Sequence, residues 1–236
     1  MAKNTILRTI IALLSAPHIA ASRLLCKFGP EAFKTDIEKC SEEVMHFSVR
    51  AQHLRCALVI AEDHRNELHS GIDPIAIISA LLGRLLKGKS RGASTIEQQF
   101  VRVVTNRYER SARRKIREQL IAIEICKRHD KSQIADAYLS RAFFGSGQEG
   151  VEQLEKSCAI NLEKIDLVQS IALTAQLKYP KPLVLNKDWH ERIKNRRIHL
   201  RRVRQSNLEQ MNKEKSSLLI VTSHNVGEQV ELQNRV

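Results

Sequence analysis

GASTIEQQF, residues 92–100, decides how this chain is read. A glycine leads into two hydroxyl residues, then an acid, two glutamines and an apolar position. Ser94 and Glu97 have the S-x-x-E spacing of a capping box, in which each side chain satisfies a free amide at a helix start. The spacing predicts a helix opening at Ser94, with Glu97 folded back onto the chain. It leaves Thr95, Gln98 and Gln99 without a task. Lys87, Lys89 and Arg91 lie just upstream. Free amides, hydroxyls and cations at one helix start make a site for an anion such as phosphate or pyrophosphate. A capped helix after a solvated basic loop is the simpler reading of the same residues.

Working outward, the composition favours helices. The 236 residues are 4% aromatic and hold only nine Gly and five Pro, while Leu, Ile, Ala, Lys, Arg and Glu dominate. A net charge of +13 implies an anionic partner: nucleic acid, an anionic membrane or a phosphate-bearing substrate. Cys26, Cys40, Cys56, Cys126 and Cys158 stand singly, with no C-x-x-C. That excludes a disulfide framework and a structural zinc site, and predicts buried small apolar residues in a reducing compartment. The amino terminus points the other way. Lys3, Arg8 and Arg23 flank the uncharged run Thr9–Ser22, which is shorter than the roughly 20 residues that cross a bilayer as a helix. A weak anchor, an interfacial helix and a buried helix all fit it.

Helical periodicity continues along the chain. Pro30 opens one helix, and Asp73 with Pro74 opens another that ends near Gly88. Residues 64–71 and 145–150 read as loops. Residues 111–129 form a long periodic helix, and Asp130 caps the next. After the break at Tyr179–Pro182 comes a long basic helix from Lys187, and the last twenty residues read as a tail.

Three further segments carry chemistry. EDHRNELHSGID (62–73) puts Glu62 and Asp63 at the end of an apolar helix, where a desolvated carboxylate can serve as a base. A solvated pair of helix-terminal acids is the plainer alternative. His64 and His69 lack the i, i+4 spacing of a helical metal pair. RRKIREQLIAIE (113–124) places Arg114, Lys115 and Glu118 on neighbouring faces, as a functional cluster or an ordinary surface pair. YLSRAFFGSGQEG (138–150) runs a helix into a glycine-rich turn.

Taken in order, the four segments resemble the family 51 peptidoglycan glycosyltransferases. Those enzymes carry E-D-x-x-F-x-x-H-x-G-x-D, G-x-S-T-I-T-Q-Q, R-K-x-x-E and Y-L-N-x-x-Y-F-G-x-G-x-x-G. Glu62, Asp63, His69, Gly71 and Asp73 match the first, and Gly92, Ser94, Thr95, Ile96, Gln98 and Gln99 the second. Arg114, Lys115 and Glu118 match the third; Tyr138, Leu139, Phe144, Gly145, Gly147 and Gly150 match the fourth. The resemblance covers about His46 to Arg204. It implies an all-α, lysozyme-like, two-lobed fold with a membrane-facing lobe. Its domains would be an N-terminal membrane-associated segment (1–45), the transferase (46–215) and a C-terminal tail (216–236), with too little chain after Arg204 for a transpeptidase.

The implied reaction polymerises lipid II into glycan and releases undecaprenyl pyrophosphate. The resemblance makes Glu62 and Glu118 the catalytic residues, Glu62 as the base and Glu118 to orient the cations or hold a metal. Asp63, His69, Arg91, Ser94, Thr95, Gln98, Gln99, Arg102, Arg114 and Lys115 would hold substrate, with no dedicated metal ligands but a place for Mg or Mn near Glu118. The implied partners are lipid II, the growing glycan chain, the membrane surface and cell-wall synthesis proteins. The implied location is the bacterial inner membrane with the domain outside, although the cysteines also suit the cytoplasm. Asn66 replaces the pattern's Phe, Glu97 its second Thr, Ser140 its Asn, Arg102 the usual Lys and Val103 a frequent Asn. A weakened relative that only binds precursor or a synthesis partner is therefore a second reading. The basic helix ERIKNRRIHLRRVRQ (191–205) makes a nucleic-acid binder a third, without interleaved aromatics to support it.

Overall fold

Every residue from Glu118 to Ile125 is buried, and a helix buried all round belongs at the centre of a domain. The computed structural model describes residues 2–47, 49, 51–88 and 92–209. In chain order it contains α1 (Ala2–Phe28), α2 (Glu31–His46), α3 (Gln52–Glu62), a 3-10 turn (Asn66–Leu68), α4 (Pro74–Lys87), α5 (Ile96–Thr105) and α6 (Ala112–Arg128). There follow α7 (Lys131–Arg141), the antiparallel hairpin of β1 (Phe143–Gly145) and β2 (Gln148–Glu149), α8 (Gly150–Cys158) and α9 (Leu167–Lys178). The last described element is α10, residues 187–209. The fold is all-α apart from that hairpin, which replaces the loop expected at 145–150.

Helices α1, α2, α5 and α7 surround α6. The main core joins Phe33 and Ile37 of α2, Leu54 and Leu58 of α3, Phe100 of α5, Ile121 and Ile125 of α6, and Phe144. Each such side chain, fully buried, contributes about 1.5–3 kcal/mol of transfer free energy. Packing runs straight across the domain boundary expected at residue 45, because α2 supplies part of this core. A second, smaller cluster joins Ala57 of α3, Ile171 and Ala175 of α9, and Ile193 and Leu200 of α10. Helix α3 thus lies between the two clusters, and its last residue, Glu62, emerges where they meet.

Local chemistry sets the helix ends. Asp73 caps α4 by accepting from the Ala76 amide, Pro74 fills its first turn, and Gly88 closes it at φ 59°. Asn106, at φ 52°, closes α5. Gly71 has φ +89°, and a Cβ there would come within 2.6 Å of the Ala122 carbonyl of α6. Only glycine lets this loop lie against the central helix.

The amino-terminal helix is longer than its uncharged run suggests. It continues through Pro17 to Phe28, and the stretch Asn4–Phe28 is long and apolar enough to cross a membrane by length and composition. Ile11, Ser15 and Ser22 face the protein, while Ile6, Ile10, Leu13 and Leu14 are exposed. The Ser22 hydroxyl bonds the Leu120 carbonyl of α6 at 2.9 Å, and Arg8 bonds the Glu67 carbonyl at 3.0 Å. Of the cysteines, Cys40 is buried and Cys26, Cys126 and Cys158 are half-buried, but Cys56 is exposed, against expectation. Lys89 and Arg91, and the tail beyond residue 209, lie outside the described residues.

Candidate active site

Glu62 closes α3, and three elements converge on it. Arg196 of α10 donates to Glu62 Oε1 at 3.1 Å and to the Ala61 carbonyl at 2.6 Å. Gln99 of α5 donates its amide to Glu62 Oε2 at 3.3 Å. The Tyr138 hydroxyl of α7 donates to Gln99 Oε1 at 2.9 Å, which orients that amide nitrogen toward Glu62. Burial pushes the Glu62 carboxyl above its ordinary range, against the pull of Arg196 and Gln99. A carboxylate whose affinity for a proton is raised by desolvation, beside one cation, has the character of a general base.

The helix start that follows Gly92 differs from the capping box that its spacing predicts. Thr95, not Ser94, is the N-cap residue of α5: its hydroxyl accepts from the Gln98 amide at 3.3 Å and donates to the Gly71 carbonyl at 2.8 Å. Gln98 also donates to that carbonyl, at 3.2 Å. Thr95 and Gln98 are buried and tie α5 to the Gly71 loop. Glu97 does not fold back. Its Oε1 accepts from Asn66 at 3.0 Å and from Lys131 at 2.5 Å, deep in the protein. The physical reason is the shift of the cap by one residue: with Thr95 as N-cap, Glu97 stands at N2 and points into the core.

Ser94 is free for the other face. Its Oγ accepts from Lys115 at 2.7 Å and from Arg102 at 3.5 Å. Lys115 also donates to Gln98 Oε1 at 2.6 Å. Arg102 donates to both oxygens of Glu118, at 2.8 and 3.1 Å, Arg114 donates to Oε1, and Lys115 lies 3.5 Å from Oε2. Three cations thus share one buried carboxylate, and the cluster keeps a positive excess at the start of α5. Burial pushes the Lys115 ammonium down to about 8, with Arg102 and Arg114 adding to the effect and Glu118 opposing it.

Asp63 and His69 do not reach this face. Both are buried. Asp63 accepts from His69 Nε2 at 3.1 Å on each oxygen, from Asn66 at 3.3 Å and from the Ile96 amide at 3.3 Å. Burial alone would raise its pKa; the bond from His69, with Asn66 and Lys131, outweighs burial and holds it low. Asp63, His69 and Glu97 each bring one metal-ligand atom within 4.8 Å of the others. The Lys131 ammonium already stands on Glu97 and 3.3 Å from His69 Nδ1, so a cation of the chain itself occupies the cluster. Arg91 lies outside the described residues.

The sequence reading missed Arg196, Lys131 and the use of Tyr138. A signal existed for Arg196: with Ile193 and Leu200 it makes an i, i+3, i+7 face, the inward side of the basic helix. Lys131, one residue past a cap, carried no such signal.

Glu62, half-buried at the end of α3, is thus joined through Gln99 to the helix whose start carries the cationic cluster. The profile of the transglycosylase family matches residues 31–204, and the chain belongs to that family. It is 40% identical over 140 residues to penicillin-binding protein 1A of Aquifex aeolicus, covering 58% of this chain and 18% of that protein. It is 31% identical over 135 residues to penicillin-binding protein 2a of Streptococcus pneumoniae, covering 55% and 18%. It is 29% identical over 164 residues to the monofunctional glycosyltransferase of Staphylococcus saprophyticus, covering 66% and 60%. The chain spans about a fifth of the length of these penicillin-binding proteins and three-fifths of the monofunctional one.

Proposed function

We propose that this chain is a peptidoglycan glycosyltransferase that polymerises lipid II. The observation that carries the reading is the bridge through Gln99, which links the base candidate Glu62 to the helix that begins at the cationic cluster. The 4-hydroxyl of the acceptor sugar attacks the anomeric carbon of the growing chain. Glu62 takes the hydroxyl proton as the new glycosidic bond forms. The bond to undecaprenyl pyrophosphate breaks with inversion, and the negative charge gathering on that leaving group meets Arg102, Arg114 and Lys115. Glu118 holds those three cations in place and so acts as their organiser.

The resemblance also gives a divalent cation a place at Glu118. Its carboxylate already carries three cations of the chain, which disfavours a further positive ion there, and we route no step through a metal. Asp63, His69, Thr95 and Gln98 build the site from behind. Ser94, Arg102, Arg114 and Lys115 are the groups that we assign to the pyrophosphate.

A membrane surface fits the same reading. The exposed Ile10, Leu13 and Leu14 of α1 and Leu81, Leu82, Leu85 and Leu86 of α4 belong to two helices that pack on each other, and would bring the site to a lipid-linked substrate. We infer an inner-membrane protein with its domain on the outer side, and cell-wall synthesis proteins as its company. Of the departures that suggested a weakened relative, Asn66 and Glu97 turn inward to each other, and Ser140 donates to the Ala137 carbonyl of its own helix. The family match gives no support to nucleic-acid binding. Incubating the purified chain with labelled lipid II and separating polymer from monomer tests the proposal: polymer is expected, and unchanged monomer refutes it.

A further inference from the structure

Lys131, the first residue of α7, sends its ammonium into the protein behind the site. It donates to Glu97 Oε1 at 2.5 Å and lies 3.3 Å from His69 Nδ1. An ammonium has three donors and no acceptor, so His69 Nδ1 must be the accepting nitrogen. The ring proton then sits on Nε2, which faces both oxygens of Asp63 at 3.1 Å. A doubly protonated imidazole would direct an N–H at the ammonium. The His69 side chain is fully buried, so no solvent competes for either nitrogen.

Asp63 is where this chain of bonds meets the site. It follows Glu62 in sequence and accepts from the Ile96 amide in the first turn of α5. One carboxylate therefore fixes the end of α3 against the start of α5, and with it the placement of Glu62 relative to Ser94 and Arg102. Its hold depends on accepting a hydrogen bond from His69 Nε2, and so on which ring nitrogen carries the proton.

We propose that Lys131 is a positioning residue for glycosyl transfer, which fixes the His69 tautomer that holds Asp63 and thereby the spacing of Glu62 from the cationic start of α5. The proposal rests on the transferase reading above. A purely structural Lys131 would do no more than neutralise Glu97.

The test compares the full chain with Lys131→Met, Glu97→Gln and the double variant. Three readouts are taken: melting temperature, kcat and KM on labelled lipid II, and the nitrogen–proton correlation spectrum of the His69 ring, assigned by its loss in His69→Gln. In the wild type, Nδ1 is expected to be unprotonated and Nε2 protonated. Lys131→Met loses that single tautomer and drops kcat about 100-fold, the scale of a small misplacement of reacting groups, with KM little changed. The double variant removes both buried charges, recovers the melting temperature and keeps the low kcat. If the double variant recovers kcat along with stability, Lys131 only neutralises Glu97 and the proposal falls. An unaltered ring spectrum in Lys131→Met also overturns it. A wild-type chain that makes no polymer refutes the transferase reading instead, and the spectrum still decides whether Lys131 sets the tautomer.

Discussion

Asn66 donates its side-chain amide to Glu97 at 3.0 Å, so two positions at which the chain departs from the pattern it resembles meet inside the protein. Neither departure reaches the cationic cluster. Lys131 completes the pair by supplying the charge that a buried glutamate requires. Glu97→Thr restores the pattern's residue but leaves Lys131 without its carboxylate. Removing one partner of a buried ion pair costs about 3–5 kcal/mol, so chemical denaturation should show a loss of about 3 kcal/mol, Lys131 being a quarter exposed. Adding Lys131→Met should return much of that loss. A Glu97→Thr protein as stable as the wild type would mean that the pair contributes nothing.

Arg196 favours the ionised form of Glu62 against the effect of burial. Burial raises the Glu62 pKa and Arg196 is the largest influence that lowers it. In Arg196→Met that influence disappears and the pKa rises further. The acid limb of the kcat/KM profile should move to higher pH, because the base is protonated over more of the range. A limb that stays in place would separate Arg196 from the base.

Lys115 makes two effects of opposite sign. Its ammonium titrates at about 8, against an ordinary 10.5. Above about pH 8 the cluster loses one positive charge, so inhibition by inorganic pyrophosphate should weaken there, and Lys115→Met should remove that pH dependence. For folding, the unfolded chain binds the proton more tightly than the native one between about 8 and 10.5. The contribution of Lys115 to stability therefore rises with pH across that window. Pyrophosphate inhibition in the wild type that is flat from pH 7 to 9 would contradict the assignment.

Leu13 of α1 and Leu85 and Leu86 of α4 are 68%, 80% and 77% exposed. Changing all three to Gln removes apolar area that no part of the described chain covers. Each buried Leu side chain is worth about 1.5–3 kcal/mol in transfer, so cosedimentation with liposomes should fall more than about tenfold while the melting temperature holds. Undiminished cosedimentation would place the lipid contact elsewhere.

Much of the fold was legible because helix signals are local. Asp73 with Pro74, Gly88 and Asp130 mark helix ends wherever the chain sits in space. The motifs proposed a set of residue types for the site, and the structure shows which of them bond to one another. Arg102, Arg114 and Lys115 gather on Glu118, with Ser94 and Gln98 bonded to Lys115, whereas Glu62 bonds Gln99 and Arg196, and Asp63 bonds His69 in the interior. Motif spacing does not distinguish a side chain that touches substrate from one that supports it. The S-x-x-E spacing misled because Thr95 competes with Ser94 for the same cap, and the Gly71 carbonyl, 24 residues away in sequence, decides for Thr95. The apolar face of α10 marked Arg196 as inward, but its partner, 134 residues distant, was hidden for the same reason.

The most direct test of the account is polymerisation of labelled lipid II by the wild type and Glu62→Gln side by side. The amide keeps the size of the carboxylate but cannot take the acceptor's proton. Loss of a general base lowers rate by about 10²–10⁴-fold, so polymer formation should fall by that factor while the melting temperature stays close to wild type. Polymer made by Glu62→Gln at near the wild-type rate would show that Glu62 is not the base.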